Sequence, residues 1–129
     1  MSQYTFFSDE EAKGIEPETM AKLDMARKYA GVPFTITCGL RSPDSNASLV
    51  GAVSDSAHLP DANGLSHAVD FDFGGTDAGL FAAVKGLTQA GFTRIGIYFD
   101  ENDKPHHIHC DTDATKPQGV IWLLKEQNC

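Results

Sequence analysis

Five histidines lie in two short segments of the sequence. His58 and His67 form the first group, and the second is the run of His106, His107 and His109. Neutral imidazole is the commonest protein ligand of metals, and histidine is the side chain that most readily exchanges a proton near neutral pH. The two segments are therefore candidates for a metal site or an acid–base site.

The second histidine segment alternates as a β-strand does, and residues two apart on a strand share a face. His107, His109 and Asp111 are then predicted to point to one side. Ile108 and Cys110 would point to the other side, toward the core. This alternation predicts a polar face that carries two imidazoles and a carboxylate.

A strand predicted over 67–73 carries Asp70 and Asp72 on one face. The opposite face is apolar: Val69, Phe71 and Phe73. A carboxylate face beside an imidazole face favours a metal site, because zinc accepts both His nitrogen and Asp oxygen, and catalytic zinc takes three protein ligands and a water. A lone His or Asp on a strand is usually solvated, so the combined pattern carries this prediction.

Local signals predict two helices and five strands that would hold these residues in place. The first helix opens at Pro17, because proline suits the first helical turn, and it stops at Gly31. The second runs over 76–90 and is closed by Gly91. The predicted strands are 34–38, 67–73, 93–99, 106–112 and 120–124. Residues 39–66 are rich in loop formers and predict a long loop of the kind that is usually functional or disordered.

This order of elements predicts an α+β fold in which an antiparallel sheet has its helices packed on one face. Only the helix at 76–90 lies between strands as a βαβ unit would require, so a doubly wound sheet is not favoured. At 129 residues the chain is predicted to be one domain over 1–129, large enough for a core of its own.

The charge balance excludes some partners. The chain has 10 basic and 18 acidic residues, a net charge of −8, which argues against nucleic acid and against an anionic membrane surface. No run of ~18 apolar residues predicts a membrane span. The N-terminal residues lack the basic and apolar regions of a secretory signal, so we expect synthesis in the cytoplasm, and we expect a monomer. Three cysteines without CxxC spacing predict reduced thiols.

Several short motifs follow one another along the chain: ITCGLRSP at 36–43, Asn46, SAH at 56–58 and AVD at 68–70. Together they resemble the D-Ala-D-Ala carboxypeptidase family of zinc peptidases. That family carries a strand ending in (S)GxRSP, an SxHxxGxAxD zinc motif and a later H-x-D or H-x-H strand. It includes wall-trimming carboxypeptidases and phage endolysins that cut the L-alanyl-D-glutamate bond.

The resemblance implies a site as well as a fold. Its zinc ligands would be His58, Asp70 and His109. Arg41 matches the arginine that holds the substrate carboxylate. Ser56 matches the motif serine near the metal, where it would contact the substrate. The implied fold is that of the hedgehog and DD-peptidase group.

The chain departs from the family pattern in the spacing of its first two ligands. His58 and Asp70 stand twelve residues apart rather than seven, with residues 60–64 as an insert. A longer surface loop adds little closure entropy, only ~0.6 kcal/mol per doubling of its length. The insert leaves open whether His67 competes as a ligand.

The general base is the second departure. The segment 107–110 is similar to the zinc strand of the hedgehog domain, where the acid stands six residues before the last ligand, at the position of Asp103. The bacterial enzymes place it three residues before, where this chain has His106. Asp103 is the predicted base, with Glu101 and His106 as alternatives, and His107 would stabilise the oxyanion or hydrogen-bond the water.

The predicted function is that of a zinc-dependent peptidase acting on the peptidoglycan stem peptide. The reaction would be that of a D-Ala-D-Ala carboxypeptidase or an L-Ala-D-Glu endolysin released to the wall through a holin. The alternative is a non-catalytic binding module stabilised by Zn²⁺, of the hedgehog type. An oxygen-activating iron enzyme uses the same ligand types, but the many-stranded barrel and close His-x-Asp pair that normally accompany that triad are not evident in the sequence.

Overall fold

The structure is a computed structural model that describes residues 3–48 and 56–125. Its helices are α1 (Pro17–Ala30), α2 (Pro43–Ser48) and α3 (Asp77–Gln89). Its strands are β1 (Thr35–Cys38), β2 (Ala68–Asp72), β3 (Arg94–Phe99), β4 (Pro105–Asp111) and β5 (Val120–Lys125). The α+β class predicted from the sequence is confirmed.

The five strands form one sheet in the order β1-β2-β4-β3-β5. The pairs β1–β2, β2–β4 and β3–β4 are antiparallel, but β5 runs parallel to β3, so the sheet is mixed and the prediction of a wholly antiparallel sheet was wrong in this detail. The reason is topological. Both edges of β4 are already paired, so the chain after β4 crosses to the free edge of β3 and enters there in the direction of β3.

Helix α1 begins and ends on local signals that the sequence carries. The carboxylate of Glu16 accepts hydrogen bonds from the backbone N–H groups of Glu18 and Thr19, which have no partner inside the helix. At the other end Gly31 adopts the left-handed conformation that closes many helices. The short helix α2 lies inside the predicted loop, and it was missed because its six residues are mostly weak helix formers without an apolar period.

Helices α1 and α3 lie on one face of the sheet, as predicted, and enclose the hydrophobic core with it. The core residues include Leu23 of α1 and Leu87 of α3. The inward side chains of three strands complete it: Val69, Phe71, Ile95, Ile108 and Cys110. The opposite face of β2 and β4 is thereby left for polar side chains. Within the described part of the chain, no helix has the length and apolar character needed to cross a membrane.

The contact between the two long helices depends on Gly86. A Cβ atom at this position would lie 2.8 Å from the Cβ atom of Ala30 and closer still to the backbone oxygen of Ala26. We predict that Gly86→Ala lowers the free energy of unfolding by up to about 2 kcal/mol, because an overpacking cost of roughly 1–3 kcal/mol outweighs the ~1 kcal/mol gained in helix propensity. Urea unfolding measures the change.

Gln89→Ala is the matched control, since Gln89 is an exposed residue of the same helix. There the substitution adds helix propensity without a clash, and the stability should stay the same or rise slightly. A Gly86→Ala variant as stable as Gln89→Ala would contradict the close approach of the helices.

Candidate metal centre

Three side-chain atoms from three parts of the chain converge on the polar face of the sheet. His58 Nε2 lies 3.1 Å from Asp70 Oδ1 and 3.2 Å from His109 Nδ1. His109 Nδ1 lies 2.9 Å from Asp70 Oδ1. The relative exposures of the three residues are 2%, 4% and 7% for His58, Asp70 and His109, so the cluster is almost closed to solvent.

Strand pairing places two members of this cluster side by side. Asp70 of β2 and His109 of β4 are direct partners in the antiparallel register. His58 arrives from the segment before β2, where the Arg41 backbone N–H donates to the His58 carbonyl oxygen at 2.8 Å. The hydroxyl of Ser56 accepts from the backbone N–H of His58 at 3.2 Å. Ser56 therefore helps to hold the ligand segment, and its contact with substrate stays a prediction.

Hydrogen bonds on the far side of each imidazole fix which nitrogen faces the cluster. His58 Nδ1 donates to the carbonyl oxygen of Gly39 at 2.7 Å, which directs the Nε2 lone pair inward. His109 Nε2 donates to Asp111 Oδ2 at 2.7 Å, which directs Nδ1 inward. Such outer hydrogen bonds are typical of metal-binding histidines, whose tautomer and orientation they fix.

The spacing of the three inner atoms fits a zinc ion. Ligand atoms bound tetrahedrally at 2.0–2.1 Å from zinc would lie about 3.3 Å from one another. The observed separations of 2.9–3.2 Å are close to that value. Two imidazole nitrogens and one carboxylate oxygen form the ligand set of several catalytic zinc sites, which keep the fourth position for water or substrate.

The pKa values of the cluster favour a protonated His109 beside an ionised Asp70. Burial by itself lowers the pKa of His109, but its hydrogen bonds with Asp111 and Asp70 outweigh burial and raise that pKa to about 9. Burial would raise the pKa of Asp70, and the charge of His58 with the bonds from both imidazoles holds it well below its usual range. A metal cation bound between these three side chains would replace the proton that His109 carries, because metal ligands bind in their deprotonated forms.

His67 does not join this cluster. Its Nε2 lies 2.7 Å from Asp61 Oδ2, in an ion pair that is partly exposed. The other oxygen of Asp61 accepts from the backbone N–H groups of Asn63 and Leu65. The residues inserted between His58 and Asp70 thus form a loop closed on itself, and the loop occupies His67 with a partner of its own.

Arg41 is buried close to the cluster, with 5% of its surface exposed. Its Nη1 donates to Asn46 Oδ1 at 3.0 Å, while its Nε is buried and has no hydrogen-bond partner within the described part of the chain. The commonest role of a loop arginine is a salt bridge with a nearby carboxylate, which here would be Asp44 or Asp55. Within residues 3–48 and 56–125 no carboxylate pairs with Arg41, and Asp55 lies outside the described residues. A buried guanidinium with an unused donor is suited to bind an anionic group.

Two aromatic rings extend the polar face beyond the cluster. Tyr98 is the cross-strand partner of His107, with ring centroids 4.4 Å apart. Burial, with Asp70 as the next cause, raises the pKa of Tyr98, so its hydroxyl stays protonated. Sequence reasoning missed Tyr98 at the site. The alternation of β3 places it on one face with Gly96, and the pairing of Gly96 with His109 identifies that face.

The predicted base, Asp103, lies in the turn between β3 and β4, where it is exposed and has a positive φ of 59°. Pro105 is the first residue of β4, and His109 lies four residues later. At ~3.3 Å per residue, about 13 Å of strand separates Pro105 from His109. His107 is buried and shares a face with His109. The fold therefore brings His107 toward the cluster, and the assignment of Asp103 stays a prediction.

A second ligand combination includes a sulfur. Ligand atoms of Cys38, His58 and Asp70 lie within 4.8 Å of one another. Cys38 is disulfide-bonded, however, and a thiolate is required to bind a metal. The shorter distances of the cluster with His109 therefore favour that cluster as the metal site. The prediction of reduced thiols was wrong for Cys38, because disulfide formation depends on which cysteines lie close together in the folded chain. The prediction was correct for Cys110, and Cys129 lies outside the described residues.

A buried cluster of two imidazoles and one carboxylate on an α+β scaffold is typical of zinc-dependent hydrolases. The chain belongs to the peptidase M15 family, whose family model matches residues 2–111. Peptidases of this family are zinc-dependent, and the resemblance found in the motifs is confirmed. No curated protein and no solved structure matches the chain.

The two ligand combinations make opposite predictions for two variants. His109→Ala should lose most of the bound zinc, because it removes one of three ligands. Cys38→Ser should keep about one zinc per chain, as in the wild type. Metal analysis after gel filtration measures both, and circular dichroism checks that the variants fold. Zinc retained in His109→Ala and lost in Cys38→Ser would assign the site to the sulfur-containing combination.

Proposed function

We propose that this chain is a zinc-dependent peptidase that hydrolyses the stem peptide of peptidoglycan, with His58, Asp70 and His109 as the metal ligands. Membership of the M15 family supports a peptidase. The observation that supports a peptidoglycan substrate is the buried cluster of His58, Asp70 and His109 with Arg41 nearby. Its spacing fits a zinc ion, and the guanidinium of Arg41 can bind an anionic group of the substrate.

The chemistry of bond cleavage would come from the metal and from the low exposure of the site to bulk solvent. Zinc held there would polarise the scissile carbonyl and lower the pKa of a water molecule from 15.7 toward ~7. Asp70 supplies one negative charge and the histidines supply neutral nitrogen, so the site keeps a net positive charge for a developing oxyanion. The low exposure of all three ligands strengthens this electrostatic effect.

Arg41 supports a substrate that carries a carboxylate close to the scissile bond. Its Nε, which has no hydrogen-bond partner among the residues that the structure describes, can donate to a carboxylate oxygen, and a neighbouring guanidinium N–H can complete a bidentate contact. A C-terminal D-Ala offers such a carboxylate, and so does the D-Glu of an L-Ala-D-Glu bond. Both are D-residues on the amine side of the bond, which is why D-Ala-D-Ala carboxypeptidase and L-Ala-D-Glu endopeptidase are the two reactions that we propose.

We assign two roles to His107: it would accept the proton of the attacking water, and it would stabilise the oxyanion. It is buried on the face of β4 that carries His109, and the ring of Tyr98 packs against it. An imidazole in this place can accept a proton from the water and return it to the leaving amine. Asp103, the base predicted from the sequence, is the alternative to His107.

The place of action follows from the substrate. We propose that the protein acts on the cell wall as a monomer after holin-type release, without nucleic-acid partners and without insertion into a membrane. The net charge of −8 supports the absence of nucleic acid.

The first test combines purified muropeptides, product mass spectrometry and a chelator. We expect either loss of D-Ala or cleavage after L-Ala, and we expect the chelator to abolish it. Arg41→Gln should lower kcat/KM for such substrates by at least about tenfold while leaving the zinc content unchanged, because it removes the carboxylate contact and no ligand. Bound zinc without cleavage of any muropeptide would favour the hedgehog-type binding module.

The base is tested by two variants that leave the metal ligands intact. We expect His107→Ala to lower kcat about 100-fold or more, the usual size of general acid–base catalysis, with zinc content unchanged. Asp103→Asn should retain most activity, because its side chain stands in an exposed turn. A large loss in Asp103→Asn with normal rates in His107→Ala would move the base to the turn.

A further inference from the structure

Behind His109, on the side away from the cluster, runs a chain of buried hydrogen bonds. Asp111 Oδ2 accepts from His109 Nε2 at 2.7 Å, and Asp111 Oδ1 accepts from Arg94 Nε at 2.8 Å. Arg94 Nη1 in turn donates to the carbonyl oxygen of Pro117 at 2.6 Å. The side chains of His109, Asp111 and Arg94 are only 9%, 1% and 10% exposed.

The two oxygens of Asp111 have separate partners, which fixes the plane of the carboxylate. Oδ2 is used by the imidazole, while Oδ1 accepts from Arg94 and from the backbone N–H of Asp113 at 3.1 Å. A carboxylate held only by His109 could rotate about its own bond and carry the imidazole with it. The second set of bonds removes that freedom.

Arg94 is itself held in place by an aromatic ring. The centre of its guanidinium lies 4.9 Å from the ring of Trp122, and the same indole lies 5.6 Å from the ring of His109. Trp122 can lie this close to the sheet because Gly96 faces it, since a Cβ atom at Gly96 would stand 2.8 Å from the indole. The Trp122 ring therefore lies against both His109 and Arg94, on either side of Asp111 in the hydrogen-bond chain.

We propose that Arg94 is a positioning residue that sets the metal affinity of the cluster by fixing, through Asp111, the ring orientation and tautomer of His109. The proposal rests on the ligand set given under the proposed function. Arg94 touches neither metal nor substrate in this assignment. A carboxylate that accepts from a metal-bound histidine, as Asp111 would, typically changes the metal affinity 10- to 100-fold when it is removed, and Arg94 acts through that carboxylate.

The anchors of Arg94 come from a part of the chain that the family model does not match. The match ends at residue 111, whereas Pro117 and Trp122 follow it. Strand β5 thus supports the metal centre through Trp122, in addition to forming the edge of the sheet.

The test measures zinc affinity by competition with a chromophoric chelator, and it records the visible spectrum of the cobalt-substituted protein. Arg94→Gln should bind zinc more weakly than the wild type, by no more than the 10- to 100-fold expected for loss of the Asp111 carboxylate itself, and should shift the cobalt bands, because the His109 ring is less constrained. Arg94→Lys should recover part of the affinity, since its ammonium can still donate to Asp111.

Arg27→Gln is the matched control, because Arg27 also lies over an aromatic ring, that of Phe6, but on helix α1 away from the cluster. It should leave the zinc affinity and the cobalt spectrum unchanged, even where the stability falls. If Arg94→Gln does not fold, the same measurements on Arg94→Lys and Asp111→Asn decide the question, and each should bind zinc more weakly than the wild type.

Folded Arg94 variants with wild-type zinc affinity and cobalt spectrum would overturn the positioning role. That result would leave the ligand set intact. A wild-type protein that binds no zinc would instead overturn the proposed function, so the two failures are distinguishable.

Discussion

Strands β2 and β4 pair so that Asp70 lies directly opposite His109, and the rest of the site is arranged around that pair. Side chains alternate along a strand, so a slip of one residue in this register would turn Asp70 into the core and bring an apolar side chain to the polar face. The apolar residues on the other side, among them Phe71 and Ile108, oppose such a slip because they are fully buried under the helices. The core therefore fixes the geometry of the cluster.

The third member, His58, depends on the connections around the sheet rather than on strand pairing. It is held by the carbonyl oxygen of Gly39 and by the hydroxyl of Ser56. The insert that follows it is closed by Asp61, which binds two backbone N–H groups and His67. A loop that satisfies its own polar groups can lengthen without displacing His58 at its start.

Charge is distributed in layers around the cluster. The inner layer is the carboxylate of Asp70 between two imidazoles, and the outer layer is the buried ion pair of Asp111 with Arg94. Arg41 stands apart from both, with a buried donor that nothing in residues 3–48 or 56–125 satisfies. In the function that we propose, the inner layer would hold the metal, the outer layer would orient one of its ligands, and Arg41 would bind a carboxylate of the substrate.

The sequence by itself determined the class of fold, the two long helices, the approximate bounds of the strands and the polar face of β4, because alternation, helix caps and glycine stops are local signals. It also carried the motifs of the M15 family, which the family match confirmed. Only the tertiary structure decided that β5 runs parallel to β3, that His67 turns to Asp61, and that Arg94 reaches Asp111. These outcomes join residues that are distant in the chain or compete for one partner, and their selection depends on which strand edges and hydrogen-bonding groups remain free once the core has packed.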